Sequence, residues 1–300
     1  MRRLFPLLSL LTLLACQTPP SPDPSAQAWQ AVLSDSLTEF APGIISTGHE
    51  FAISFMPDLQ EVYFTRMDSN RRFFIYQSLY REGQWQSPRI SSFSGQWRDA
   101  DPFISPDGER LYFMSFRPLQ ESDTAELESP HLWYVIRQGK SWSEAVPVDA
   151  NIRSEEFGEG FPSVDQNYNL YFPSMRRNGQ NDIWYAAFED GRYLDPILLP
   201  ESVNDTAFSD SNPVIDPFGE RLFYYSNRED AYGAADLYTS KKLPDGSWTP
   251  AQNLGPSINS AAVEYCPALS PDGKLLFFTR RALEGEDPLR IYYRQTAGLY

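Results

Sequence analysis

From about residue 50 onward, short apolar-aromatic runs alternate with turn-forming residues at near-regular spacing. Five runs share one pattern: MPDLQEVYF (56–64), SPDGERLYF (105–113), VDQNYNLYF (164–172), DPFGERLFY (216–224) and SPDGKLLFF (270–278). Their last residues fall 49, 59, 52 and 54 positions apart. A turn signal followed by such a run is the mark of a β-hairpin. A third run follows each time: FFIYQSLY, HLWYVIRQ, DIWYAAFE, DLYTSKKL and RIYYRQTA. Each is trailed by a glycine and an aromatic: Gly83/Trp85, Gly139/Trp142, Gly191/Tyr193, Gly246/Trp248 and Gly298/Tyr300. A Pro-containing fourth strand closes the first four units, as in TPAQNLGPSIN. The period of about 50 residues therefore predicts a repeated four-stranded antiparallel meander. Arranged radially, such sheets protect their edges, which is the β-propeller solution.

The fifth unit stops at Tyr300 without a fourth strand. Residues 39–51, EFAPGIISTGHEF, have the right form to supply it: an aromatic, Pro42 and an apolar pair. The expectation is an all-β chain of five four-stranded blades closed by an N-terminal strand, with six blades as the alternative. A linear solenoid would leave two open edges.

The N-terminus does not belong to the repeats. Arg2 and Arg3 precede an apolar run, Leu4 to Leu14, too short to span a bilayer as a helix. It reads as a signal-peptide core. Leu13-Leu14-Ala15-Cys16 resembles the bacterial lipobox, which implies that Cys16 is diacylated and becomes the first residue. Residues 17–37 follow as a Pro-rich tether and 38–300 as the propeller. Gln17 lacks the aspartate that retains many lipoproteins at the inner membrane, so the outer membrane is expected, facing the periplasm or the exterior.

Composition narrows the partners. Without residues 1–16 the chain carries 23 basic and 40 acidic side chains, a net charge of −17. Nucleic acid and anionic headgroups repel such a chain, so membrane contact is expected only through the lipid. With only His49, His131 and Cys266 there is no zinc-type cluster, and no metal or cofactor is expected. Cys266 has no disulfide partner within the mature chain and should pack as a small apolar residue.

The repeats resemble the PD40 or WD40-like family of bacterial propellers, of the kind found in the Tol-system translocation protein. Ser105-Pro106-Asp107-Gly108 with Leu111-Tyr112-Phe113, and Ser270-Pro271-Asp272-Gly273 with Leu276-Phe277-Phe278, carry the resemblance. The other three copies depart from it at the turn. It extends over nearly all of residues 39–300 and implies a protein-binding scaffold, often periplasmic. Propellers as a class host many unrelated activities.

A meander fixes the faces by parity. With strands A to D counted outward from the channel, the A–B and C–D tight turns share one face. The long B–C loops and D–A connections share the other, the candidate binding face. Three residues before the strand-A proline (Ile53 in copy one) an acid recurs: Glu50, Asp99, Glu159, Asp210 and Glu264. Strand B ends near an arginine every time: Arg66, Arg117, Arg176, Arg228 and Arg280. The acids could ring the channel mouth as a cation site or a socket for a basic group. Alternatively, each pairs with the arginine across the sheet. Pairing lowers a carboxylate pKa, whereas an unpaired ring of like charges raises some of them.

The loops 118–130 and 155–160 and the acids Glu284, Glu286 and Asp287 add negative charge to the long-loop face. No nucleophile accompanies the one His–acid neighbour pair, His49–Glu50, and His131 is read as a strand-end polar residue. The sequence therefore points to a non-enzymatic module binding a protein or peptide in the cell envelope. The alternative is a glycoside hydrolase using central carboxylates.

Overall fold

A computed structural model describes residues 36–120, 122–154, 156–283 and 289–299. The signal segment, Cys16 and nearly all of the tether lie outside the described residues, as do Glu155, Glu284, Glu286 and Asp287. The described chain contains strands and no helix, arranged as five antiparallel sheets in a five-bladed propeller.

Each blade runs in chain order from the channel outward. In blade 1 the first three strands are Glu50–Phe55, Glu61–Met67 and Phe73–Arg81. In blade 2 they are Asp99–Ile104, Arg110–Ser115 and His131–Gln138. Blade 3 has a two-residue strand A, Ser163–Val164, then Leu170–Ser174 and Asp182–Ala186. Blade 4 uses Asp210–Ile215, Arg221–Ser226 and Asp236–Lys241. Blade 5 uses Val263–Leu269, Leu275–Arg281 and Arg290–Gln295. The outer strands are short, as in Arg89–Ile90 and Ile197–Leu198. Short edges limit pairing with other chains.

The fourth strand of blade 5 is Thr38–Glu39, pairing Thr38 with Tyr293 and Glu39 with Tyr292. The Phe40 N–H donates to the Ile291 carbonyl at 2.8 Å, and Arg290 pairs with Glu39 at 3.0 Å. The ring thus closes through the N-terminal strand.

Strand B reads as a continuous apolar run because both of its faces are covered by neighbouring blades. Alternation sends successive side chains to opposite sides. Tyr63 joins Leu111 and Phe113 between blades 1 and 2, while Val62 and Phe64 join Leu275 and Phe277 between blades 1 and 5. Tyr112, Tyr171 and Phe223 do the same toward blades 3, 4 and 5. The aromatic after the C–D glycine, Trp85, Trp142, Tyr193 or Trp248, is buried in these interfaces. Gly139 makes its turn with φ +63, a conformation in which a side chain is strained.

Candidate functional site

Every acid of the repeated set pairs with the arginine of its own blade. Glu50 meets Arg66 at 2.6 Å, Asp99 meets Arg117 at 2.9 Å and Glu159 meets Arg176 at 2.9 Å. Asp210 meets Arg228 at 2.9 Å and Glu264 meets Arg280 at 2.6 Å. Glu50 and Glu264 stand directly opposite their arginines in the ladder. Asp99 and Asp210 stand opposite Ser115 and Ser226, with the arginine two residues further on.

The arginines do more than neutralise. Arg66 donates to the Ile44 and Ile45 carbonyls, Arg117 to Phe93, Arg176 to Ile152, Arg228 to Val203 and Arg280 to Ile258. Those carbonyls lie in the connection arriving from the preceding blade. The acids grip the same connections: Glu50 takes the Thr47 and Gly48 N–H groups, Glu159 that of Ser154 and Asp210 that of Asp205. Each guanidinium also lies over aromatics of strands B and C, as Arg117 does over Phe113 and Trp133. Acid and arginine together form a staple between blades, repeated five times. His131 adds to one of them, its Nδ1 lying 2.9 Å from Glu159 Oε2.

Pairing does not lower all of these pKa values. Burial pushes Glu50 up, but hydrogen bonds from Thr47 and then the Arg66 charge outweigh it, so it titrates below the usual range. For Asp99 and Asp210 burial wins over the arginine, and Asp210 is pushed up to about 6. A raised value is therefore compatible with pairing when the pair is desolvated.

Two residues further along strand A lies a second repeated position. Ala52, Asp101, Phe161, Asn212 and Cys266 all have left-handed φ, from +44 to +57. Four ladders show a register shift there, with one extra residue on strand A. This is a β-bulge, which bends the strand. Unlike the staple position, the bulge position carries a different side chain in every blade.

The bulge residues sit at one end of a central cavity of about 790 Å³, counted with its solvent-filled mouth. The lining runs from this ring to Pro57, Pro106, Pro217 and Pro271 at the A–B turns. The space therefore lies in the tight-turn half of the channel, whereas the loop lengths pointed to the opposite face. Among the described residues Asp101 is the one charged residue in the lining. It is 3% exposed; its Oδ2 accepts the Phe161 N–H at 3.4 Å, and its Oδ1 has no partner among the described residues. Across the ring, Asn212 Nδ2 donates to Cys266 Sγ at 3.4 Å. Cys266 is buried with a free thiol, but it packs against a polar neighbour rather than a purely apolar one.

Burial pushes the Asp101 carboxyl up to about 7, opposed only by the Phe161 N–H. The folded pKa exceeds the unfolded one, so the native state keeps a proton that the unfolded chain releases. Stability from this group falls as pH rises from about 4 to about 7. Asp101→Asn is expected to stabilise the protein at pH 8, by at most about 4 kcal/mol, and to give no gain near pH 4. Urea unfolding at pH 4.5, 6 and 8 checks this; parallel curves for both proteins would show the carboxyl to be ordinary.

The sequence carried a signal for this site, a non-recurring polar residue immediately before the strand-A proline. Aligning the copies for shared residues hides it.

No family model and no curated protein matches the chain. Among solved structures it is similar to a putative TolB from Agrobacterium tumefaciens, with a TM-score of 0.54, 14% identity, and 84% of this chain and 81% of that one covered. It is also similar to a thermostable family-43 glycoside hydrolase, with a TM-score of 0.55, 10% identity, and 85% and 92% covered. The α-L-arabinofuranosidase from Lactobacillus brevis gives a TM-score of 0.50, 13% identity, and 85% and 93% covered. At these identities the likeness is one of fold, and the TolB likeness agrees with the repeat resemblance at that level. The expectation that the chain is not an enzyme is corrected: its fold is as close to glycoside hydrolases as to TolB, so the architecture gives no ground for setting catalysis aside.

Proposed function

We propose that this chain is a lipid-anchored recognition propeller of the bacterial cell envelope, holding a protein or peptide partner at the tight-turn mouth of its channel. The carrying observation is the cavity. It is walled mostly by prolines and apolar side chains, with one unneutralised carboxyl at its inner end. The five repeated acids are assigned to holding the blades together, since each is engaged by an arginine and the adjoining connection. Beside the mouth, Phe218 follows the lining residue Pro217 and is 68% exposed, an aromatic suited to anchoring a partner. Recognition of this kind is compatible with turnover. Glycoside hydrolysis generally uses two carboxyls, and Asp101 is the one found in the lining among the described residues.

The test is photo-cross-linking in intact cells from position 218, with position 119 in the blade 2 loop as comparison. A defined adduct from 218 and none from 119 is expected. Adducts from 119 alone would move recognition to the long-loop face and refute the assignment. Hydrolysis of aryl glycosides that disappears in Asp101→Asn would replace recognition by catalysis. In the same cells Cys16→Ser is expected to leave the outer-membrane fraction.

A further inference from the structure

The bulge ring has a definite order around the channel: Ala52, Asp101, Phe161, Asn212, Cys266. In a five-membered ring Asp101 stands opposite the Asn212–Cys266 pair, flanked by Ala52 on one side and Phe161 on the other. Asn212 turns Nδ2 toward Cys266 Sγ, which leaves its side-chain oxygen as an acceptor. Asp101 Oδ1 is a second acceptor without a partner among the described residues. Among the described residues the lining contains no Lys, Arg or His, and its remaining wall is mostly Pro, Ile, Phe, Val and Leu. Such a cavity offers acceptors and negative charge at its inner end and apolar surface along its length. It rejects anions and favours a cation that carries N–H donors on an apolar stem.

We infer that the channel cavity binds a primary ammonium group on an alkyl stem, held between Asp101 and Asn212 with the stem along the proline wall. This rests on the recognition role proposed above and names its chemistry. The contrast inside one strand supports it. Asp99 and Asp101 are both buried on strand A of blade 2, yet Asp99 has Arg117, Ser94 and Ser115, whereas Asp101 has a single long hydrogen bond from a backbone N–H. An ammonium group would supply the missing partner.

Among the described residues, the groups that touch Asp101 or act on it electrostatically leave it alone to titrate. Thr65 of blade 1 accepts the Asp101 N–H, and Gly160 and Phe161 of blade 3 bring backbone and an apolar ring. Tyr265 and Cys266 of blade 5 are both held neutral, their pKa values raised first by burial. With the Asp101 carboxyl at about 7, amine binding requires the ionised form and weakens as pH falls.

The experiment is calorimetric titration of the purified protein with n-butylammonium, with N-acetyl-lysine methylamide and with n-butanol. Both amines present the same ammonium group, one as a free small molecule and one as a protein side chain. Saturable binding of at least one amine is expected at pH 8, about 30-fold weaker at pH 5.5 as the competent fraction shrinks. It is expected to be absent in Asp101→Asn, weakened in Asn212→Leu and absent for n-butanol. Tighter binding of the lysine derivative would identify a protein as the source, and tighter binding of butylammonium a small amine. No binding of either amine, equal binding of n-butanol, or binding unchanged in a folded Asp101→Asn would overturn the assignment. A cross-link from position 218 that persists while no amine binds would refute the ammonium chemistry and leave the recognition role standing.

Discussion

A chain lacking residues 36–46 is expected to lose cooperative unfolding and to aggregate at concentrations where the intact protein is monodisperse. The reason is concentrated in three side chains. Phe40 is 2% exposed and meets Phe55, Trp85, Phe277 and Tyr293 edge-on, with centroids 5.4 to 6.1 Å apart. It fills the interface between the first and last blades. Ile45 is fully buried in the same cluster, and its carbonyl receives Arg66. Glu39 pairs with Arg290. Removing them opens a cavity worth about 3–5 kcal/mol for the phenylalanine alone. It also exposes the free edge of Arg290–Gln295, a template for pairing with other chains. Phe40→Ala isolates the packing contribution while keeping the strand. The measurement is urea unfolding followed by tryptophan fluorescence alongside light scattering. An unchanged midpoint and slope in the deletion variant would show that the ring holds without its N-terminal strand.

Arg117→Met is expected to destabilise the protein by about 3–5 kcal/mol, the cost of leaving a buried charge unpaired. Asp99 is fully buried and would keep only the hydroxyls of Ser94 and Ser115. The Phe93 carbonyl would lose its donor as well, loosening the connection from blade 1. Burial already raises the Asp99 pKa against the pull of Arg117. Removing the arginine raises it further, so the loss should be largest at neutral pH and shrink as acid neutralises Asp99. The double variant Asp99→Asn/Arg117→Met should recover part of the loss, because the charge goes with its partner. A loss under about 1 kcal/mol in the single variant would place the pair among weak surface ion pairs. Since the arrangement recurs in all five blades, Arg228→Met offers an independent repetition at Asp210.

Much of the architecture was legible because a propeller writes its period into the chain. The aromatic runs ending at Phe64, Phe113, Phe172, Tyr224 and Phe278 each became strand B, and the facing acids and arginines came within reach as counting from the turns suggested. The channel residues were not legible by the same method. Parity counting assumes strict alternation, and a bulge inserts one residue that alternation cannot register. Asp101, Asn212 and Cys266 also share no residue type, so comparison of the copies passes over the position they share. The contact of His131 with Glu159 joins different blades and depends on the radial packing of whole sheets, which no local pattern encodes.

Closure through Thr38 and Glu39 also sets an order of events in time. Arg290 and Glu39 lie 251 positions apart in the chain, so their meeting carries nearly the largest loop-closure entropy available here. That entropy favours local hairpins first and this pairing last. During synthesis at 5–20 residues per second, residues 38–40 emerge roughly 10–50 s before their partners. A long apolar strand waiting that long would find wrong neighbours. The segment that waits is a two-residue strand bearing Glu39 and followed within four residues by Pro42 and Gly43, too short and too interrupted to zip onto a foreign edge. The latch of the ring is thereby the part of the chain least able to engage early.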